Sequence, residues 1–558
     1  MKHIAFALAL TLCLSLAANA NTFTVVNTND SGPGSLRAAL ASAANGDTIN
    51  FCVHGTITLT SGELVIATNV TIIGPGQANL AISGNGLFTV LQVNSGVTAS
   101  IASLTIENGY AGLAAGGGID NQGTLTVSYS IVTENIGPVE AGGIYNGGTL
   151  TVSNSTVSNN RHETVGGTGE GIYNTGTATI LNSVITGNQN NDGGLGGGIY
   201  STGTMTISNS SVSENFAVSG NCAGIFNGGT MNIGNSTISG NFAGGGNGGG
   251  ICNAGTLTVT DSTLSGNSDS GGYGGAISNG GPLTVLNSTF SGNSAFNGGA
   301  IGAPFSGTII ISNSTFTGNS SDNNEGGAIY APGGTMLVLK STLLAGQTSG
   351  GNCFYVGSSP TSDGYNLSDD GSCGFLTNTG DQNNVTTADL SPSGLQNNGG
   401  PTQTIALLST SSAIDAIPPA SCTDASGNPV LTDQRGVARP QGSGCDIGAF
   451  EFVPFVSPNN LSFGNVKLGH GPHAVVTLTD TGTTSFTIGT ISFVNVSGNP
   501  VDFTFHRYCG SGLLPGHSCT IAIRFSPSES ATETATLNIV TSLPGSPLQV
   551  PVAGTGIQ

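Results

Sequence analysis

Gly248–Asn267, GGGICNAGTLTVTDSTLSGN, decides the fold. Leu257, Val259 and then Leu264 are apolar with Thr and Ser between them, an alternation of period two that belongs to β-strands. Helices would need apolar spacings of three and four, and Gly and Asn break the pattern too soon for that. The same wording returns along the chain. Aligned on the Ile that follows a glycine-rich step, copies stand at Ile119, Ile144, Ile172, Ile199, Ile225, Ile251, Ile277, Ile301 and Ile329, with spacings of 24 to 28 residues. Three short strands separated by Gly and Asn corners make one coil. Each strand then pairs with its counterpart one coil later, about 4.8 Å away, so like residues stack on like. The Asn ending each unit recurs at Asn135, Asn160, Asn188, Asn215, Asn241, Asn267, Asn293 and Asn319. A second column runs through Asn154, Asn182, Asn209, Asn235, Asp261, Asn287 and Asn313. Stacked amides can hydrogen-bond along a column and tolerate left-handed corners, so both columns are expected to be structural. A sugar-binding array along an exposed face is their functional alternative. The chain is therefore expected to be all-β, with a right-handed, single-stranded parallel β-helix over residues 48–349.

Outside the regular copies, residues 48–106 hold looser segments at Thr48–Val53, Thr56–Leu59, Leu64–Ile73, Leu80–Ser83, Phe88–Asn94 and Ala99–Ile106. Ahead of them, Ser35–Ala44 places Leu36, Ala39, Leu40 and Ala43 on one helical face. An open β-helix end exposes bore and unpaired strand edge, so residues 21–47 are expected to be a cap of strand and helix. Residues 350–453, rich in Pro, Gly and Cys, are expected to cap the other end. Over 454–558 alternating segments such as Val475–Leu478, Phe486–Ile488, Thr520–Phe525 and Thr536–Val540 are split by turns, the pattern of a β-sandwich.

Composition limits the partners. Charged residues are 7% of the chain, Trp is absent, and the net charge is −20. Such a surface repels phosphate backbones and anionic membranes, which excludes nucleic acid. Lys2 and His3, the apolar run Ile4–Leu16 and the small-residue site Ala18-Asn19-Ala20 read as a secretion signal over residues 1–20. No later run approaches the roughly 20 apolar residues of a membrane span, so no membrane insertion is expected. In an oxidising compartment, proximity pairs Cys353 with Cys373, Cys422 with Cys445 and Cys509 with Cys519. It leaves Cys222 and Cys252 open, and the odd thiol is expected at Cys52 or another buried cysteine.

Several stretches resemble known families. Phe23–Ala43, FTVVNTNDSGPGSLRAALASA, is similar to the leader of large bacterial surface β-helix proteins. Asn397–Leu408 and Thr432–Glu451, NNGGPTQTIALL and TDQRGVARPQGSGCDIGAFE, resemble the choice-of-anchor Q domain. Gly-Gly-Ala-Ile at 274–277, 298–301 and 326–329, with Phe290-Ser-Gly-Asn293 and Phe316-Thr-Gly-Asn319, resembles repeats of polymorphic outer-membrane proteins. In the tail, Leu461-Ser462-Phe463-Gly464, Pro515-Gly516-His517-Ser518-Cys519, Phe525-Ser526-Pro527 and Gly554-Thr555-Gly556 resemble immunoglobulin-like domains of the abnormal-spindle and hydin type, or choice-of-anchor D. These resemblances imply a pectin-lyase-like solenoid with an appended sandwich on a secreted or surface protein. They imply no reaction.

Chemistry is sparse. Lyases of this fold abstract a proton with Arg or Lys, yet Arg161 and Lys340 are the only basic residues between 101 and 340, many coils apart. Hydrolases need paired carboxylates, whereas Asp120, Glu134, Glu163, Asp192, Glu214, Asp261 and Asp322 stand singly. Glu163 beside Arg161 and His162 is the one mixed charged cluster of the repeats. Asp363, Asp369 and Asp370 are candidate calcium ligands, oxygen donors in a Gly-rich loop, against a plain polar loop tied by a disulfide. Arg435, Arg439 and Asp446 are expected to ion-pair within the cap. No catalytic residue and no cofactor other than that calcium is expected. The leading expectation is a monomeric, non-enzymatic extracellular scaffold or adhesin that binds a glycan or a cell-surface protein. The alternative is a polysaccharide lyase or glycoside hydrolase acting where the repeat is irregular, near 48–106 or 350–450.

Overall fold

Each copy of the repeat forms one coil of a parallel β-helix. In the coil of Gly248–Asn267 the three expected strands are Ile251–Asn253, Thr256–Thr260 and Thr263–Ser265, and Ser268–Asp269 adds a fourth of two residues. Pairing is like on like: Ile251 lies between Ile225 and Ile277, Leu257 between Met231 and Leu283, Leu264 between Ile238 and Phe290. The result is an Ile sheet of 12 strands, a long-strand sheet of 14, a third sheet of 14 and a short fourth sheet of eight. This is a computed structural model, and it describes residues 20–558 apart from 112–115, 139, 163–166, 191–192, 306, 358–359, 409, 453–455, 458–459, 481–484, 500, 515–516 and 543–546. The secretion signal thus lies, but for its last residue, outside the described residues.

Inward columns of Ile, Leu and Val build one continuous core that runs from Val25 to Leu376. Burying each such side chain contributes about 1.5–3 kcal/mol, and the coils share the gain because none buries its apolar face alone. The unit-ending Asn column is interior as well. Asn135 donates to Asn160, and the chain of amides passes through Asn188, Asn215, Asn241, Asn267 and Asn293 to Asn319 at 2.9–3.0 Å per step. Gln347 takes its last donor at 3.1 Å. The column is fully buried, so it cannot be a sugar-binding array. The second Asn column behaves differently: its members hold φ near +50° at the corner before the third sheet, and Asn287 donates along it to Asp261 at 3.3 Å. A further buried amide stack runs along the Ile sheet through Asn121–Asn146–Asn174 and Asn227–Asn253–Asn279.

Two predicted strands are each split by a corner: Leu64–Ile73 becomes Leu64–Ile66 and Val70–Ile73, and Ala99–Ile106 becomes Thr98–Ala102 and Thr105–Glu107, with Ser103 at φ +60° between them. The helix forms over Leu36–Ser42, capped by the Ser35 side chain on the Ala38 N–H. Leu36 and Ala39 join the solenoid core, and Arg37 ties the helix down by hydrogen bonds to Asp30, the Gly62 carbonyl and the Glu63 carbonyl.

The other end departs from a simple cap. Coils continue past 349 through Cys353–Phe354, Thr361–Ser362, Leu367–Ser368 and Gln382–Asn383. Cys373 and Leu376 belong to the bore core there. The chain then turns back, and residues 401–449 run along the outer face of the third sheet as a flank. Thr263 donates to the Gln403 carbonyl (2.6 Å), Asn287 to the Thr432 carbonyl (2.9 Å), Thr289 to the Gln434 side chain (2.6 Å) and the Ala449 N–H to Thr315 (2.9 Å). A second small core of Leu343, Leu367, Leu407, Ile417, Ile447 and Phe450 lies beneath it.

Residues 456–557 form two sheets around a core of their own, consistent with an immunoglobulin-like sandwich. The predicted segments appear as His473–Thr479, Phe486–Ser497, Ser518–Phe525 and Thr532–Thr541. The three expected disulfides form, and Cys222–Cys252 makes a fourth. Among the described residues Cys52 is the free thiol, exposed rather than buried. It sits one residue beyond the strand Asp47–Phe51, where the chain turns outward.

Candidate functional site

The outer face of the Ile sheet carries the most distinctive surface. Its outward position is the middle residue of each Ile-x-Asn strand, and pairing register lines up Asp120, Tyr145, Tyr173, Tyr200, Phe226, Cys252 and Ser278. Tyr145, Tyr173, Tyr200 and Phe226 stack at 5.5, 4.8 and 4.8 Å, near the coil spacing, with ring planes within 15°. Offset-stacked rings are favourable contacts, but stacking hides their faces from everything except the two ends of the ladder.

At one end the next residue is Cys252, too small to cover the far face of Phe226. Cys252 is disulfide-bonded to Cys222, which comes from the loop before the preceding coil. A cleft of about 190 Å³ opens there, with the disulfide as its floor, Phe226 and the exposed Phe305 beside it, and Asn221 and Asn247 as its amides. Every side chain lining it is uncharged. It can therefore stack and hydrogen-bond a neutral group, but it holds no acid or base.

At the other end Asp120 is nearly buried, and Glu140 lies within reach of its charge. Burial raises Asp120 against the opposing hydrogen bond from Gln122 (2.7 Å). Burial and then the Asp120 charge raise Glu140. Burial, then Glu140, pushes Tyr173 up to about 12. Glu140, twenty positions on from Asp120, thus qualifies the expectation that the repeat carboxylates stand singly.

The other predicted groups do not converge. Asp369 accepts from the Gly346 N–H (2.7 Å) and Asn352 (2.8 Å), and Asp370 from the Asn352 N–H (2.9 Å) and the Ser372 N–H (3.0 Å). These carboxylates close the last coils. Asp363 is exposed, with its carbonyl taken by Lys340 (3.1 Å). Among the described residues no group of three or more His, Cys, Asp or Glu is placed to hold a metal. Glu163 and Asp192 lie outside the described residues. Arg161 is exposed while His162 is buried 4.0 Å from Glu170, so they open no joint site. Burial raises Glu170 well above the carboxylate range.

In the flank the ion pairs are Arg435–Asp433 (2.6 Å) and Arg439–Glu451 (3.1 Å), and Arg435 also lies over the Phe450 ring at 3.6 Å. Asp446 is not Arg439's carboxylate partner, contrary to expectation: its carboxyl accepts the Asp415 N–H (2.8 Å) and the Phe452 N–H, and Arg439 takes its carbonyl instead. Burial and the neighbouring Glu451 hold Asp446 well above its ordinary range.

The sequence matches no described protein family and no curated protein. Among solved structures, pectate lyase Pel9A aligns with 77% of this chain and 96% of its own, at 14% identity and a TM-score of 0.37. The VesB protease of Vibrio cholerae aligns with 18% of this chain at 18% identity and a TM-score of 0.15, and the secreted serine protease VesC of the same organism with 17% at the same identity and score. The matches span 30% and 21% of those two proteases. The fold rests on the strand register given above. Four disulfides fit an oxidising, extracellular setting. Among the described residues no helix is long and apolar enough to cross a membrane.

Proposed function

We propose that the chain is a secreted or surface-held scaffold of the choice-of-anchor Q type, with an immunoglobulin-like tail, that binds a neutral extracellular glycan without cleaving it. The observation that carries this is the uncharged cleft at the open end of the aromatic ladder, where the Phe226 face meets the Asn221 and Asn247 amides above a disulfide. Aromatic faces and amides suit a sugar ring, which has an apolar face and hydroxyl edges. A net charge of −20 disfavours anionic polysaccharides. The test is a glycan array on the intact protein run beside a reducing-end release assay. Neutral glycans should bind, and Phe226→Ala should weaken them at least tenfold, about 1.4 kcal/mol. Release of reducing ends, or binding indifferent to Phe226→Ala, would count against the reading.

A further inference from the structure

We infer that the third-sheet face from Ile131 to Thr237 is a docking site for an extended, uncharged peptide segment of a partner protein. The chain itself shows what that face accepts. Over its C-terminal coils the outward residues Thr263, Thr289, Thr315, Leu343 and Leu367 are at most 2% exposed, because the flank lies over them. The contacts there are those of a peptide on a polar track. Thr263 donates to the Gln403 carbonyl, Thr402 donates to the Asp261 carbonyl (3.1 Å), Asn287 donates to the Thr432 carbonyl, and the Ala449 N–H donates to Thr315.

Strand register continues the same track toward the N-terminus. Thr263 pairs with Thr237, and then Ser211, Val184, Thr156 and Ile131 follow in line. Asn235, Asn209 and Asn182 occupy the corner position of Asp261 and Asn287 with the same φ of +48 to +50°. Thr237, Ser211 and Thr156 thus repeat the hydroxyls, and Asn235, Asn209 and Asn182 the corner amides, that the flank uses, with apolar Val184 and Ile131 in the same line, and among the described residues no flank lies over them: Val184 is 39% exposed, and Asn182 and Asn209 are exposed. A cleft of about 360 Å³ begins where the flank stops, with Pro401 as one wall and Val184, Asn209, Ser211 and Thr237 among its floor residues.

The occupant's chemistry follows from the covered half. Every residue lining the open cleft is uncharged. The flank residues that touch the track, Thr402, Gln403, Thr432 and Ala449, are uncharged and mostly small. A backbone with free carbonyls and N–H groups, as in strand-type peptide recognition, satisfies the track without charged side chains. A second copy is the weaker occupant, since its own segment of this kind is already seated on its own solenoid.

The test is fluorescence anisotropy of the intact protein with a labelled synthetic peptide of the flank sequence Gly399–Leu408, GGPTQTIALL. Saturable binding is expected, weakened at least tenfold by Val184→Lys or Ser211→Lys. Thr206→Lys, an exposed position on the long-strand sheet, should leave it unchanged. No saturable binding up to millimolar protein would overturn the inference, and so would binding that ignores both lysines. Self-association that Val184→Lys and Ser211→Lys abolish, without peptide binding, would overturn it in favour of a second copy. Phe226 plays no part in these outcomes, so the glycan reading stands or falls separately.

Discussion

Asp269 shows how much one atom matters inside a stacked column. Register carries Asn190 through Ala217 and Ala243 to Asp269, all facing inward from the short fourth sheet. At Asn190 the amide N–H reaches the Gly167 carbonyl (2.8 Å), and its oxygen accepts the Gly194 N–H (3.2 Å). At Asp269 the Gly246 carbonyl takes Gly167's place, and the side chain offers an oxygen where Asn190 offers a donor. Burial, against hydrogen bonds from Gly271 and Gly272, pushes the carboxyl up to about 6. Because the folded value lies above the unfolded one, the stabilisation is present below about pH 4 and is lost as pH rises through about 6. The loss is on the order of 2–3 kcal/mol. Asp269→Asn should raise the melting temperature at pH 7 and flatten its pH dependence between 4 and 7. An unchanged pH profile in differential scanning calorimetry would refute this.

At the scale of the element, the buried amide ladder is a string of mutual obligations. Asn215 donates to Asn241 (2.9 Å) and the Ile185 carbonyl (3.1 Å), and accepts from Asn188 through both its amide and its backbone N–H. Asn215→Leu leaves buried polar groups of two neighbouring coils without partners, at about 1–3 kcal/mol each. The expected result is a loss on the order of 3 kcal/mol, seen as faster amide hydrogen exchange in the coils around 188–241. Exchange confined to residue 215 would argue against coupling along the ladder. Much of this element was legible in sequence, because stacking copies the repeat: the Ile spacing, the unit-ending Asn and the Ser35–Ala44 helix all declare themselves locally. The aromatic ladder was legible too, at the middle position of Ile-x-Asn, although aromatics make up only 6% of the chain. Glu140 was not, since it comes to Asp120 from an irregular loop.

For the whole molecule, the flank was the least readable part. Its contacts join residues 113 to 171 apart, through Thr hydroxyls, amides and backbone carbonyls that leave no period or motif. A compact, disulfide-tied segment reads as an end cap, and nothing local says that it returns along the side. The rod itself follows from simple multiplication: fourteen strands in the longest sheets span about 60 Å at 4.8 Å per coil.

That returning flank divides the solenoid into a part whose length is free and a part whose length is gauged. Hydrogen bonds from the flank to Thr263, Asn287, Thr289 and Thr315 fix how many coils lie beneath it. One added coil there would shift each later contact by about 4.8 Å, beyond any hydrogen bond. An added coil ahead of Thr237 would simply lengthen the rod. Duplicating Ser210–Asn235 should therefore yield a protein of near wild-type melting temperature, whereas duplicating Ser288–Asn313 should strip the flank from its track and open it to limited proteolysis. Equal tolerance of both duplications would show that the flank gauges nothing. If the difference holds, lineages of this chain can drift in length through their N-terminal coils while the coil count under the flank stays constant.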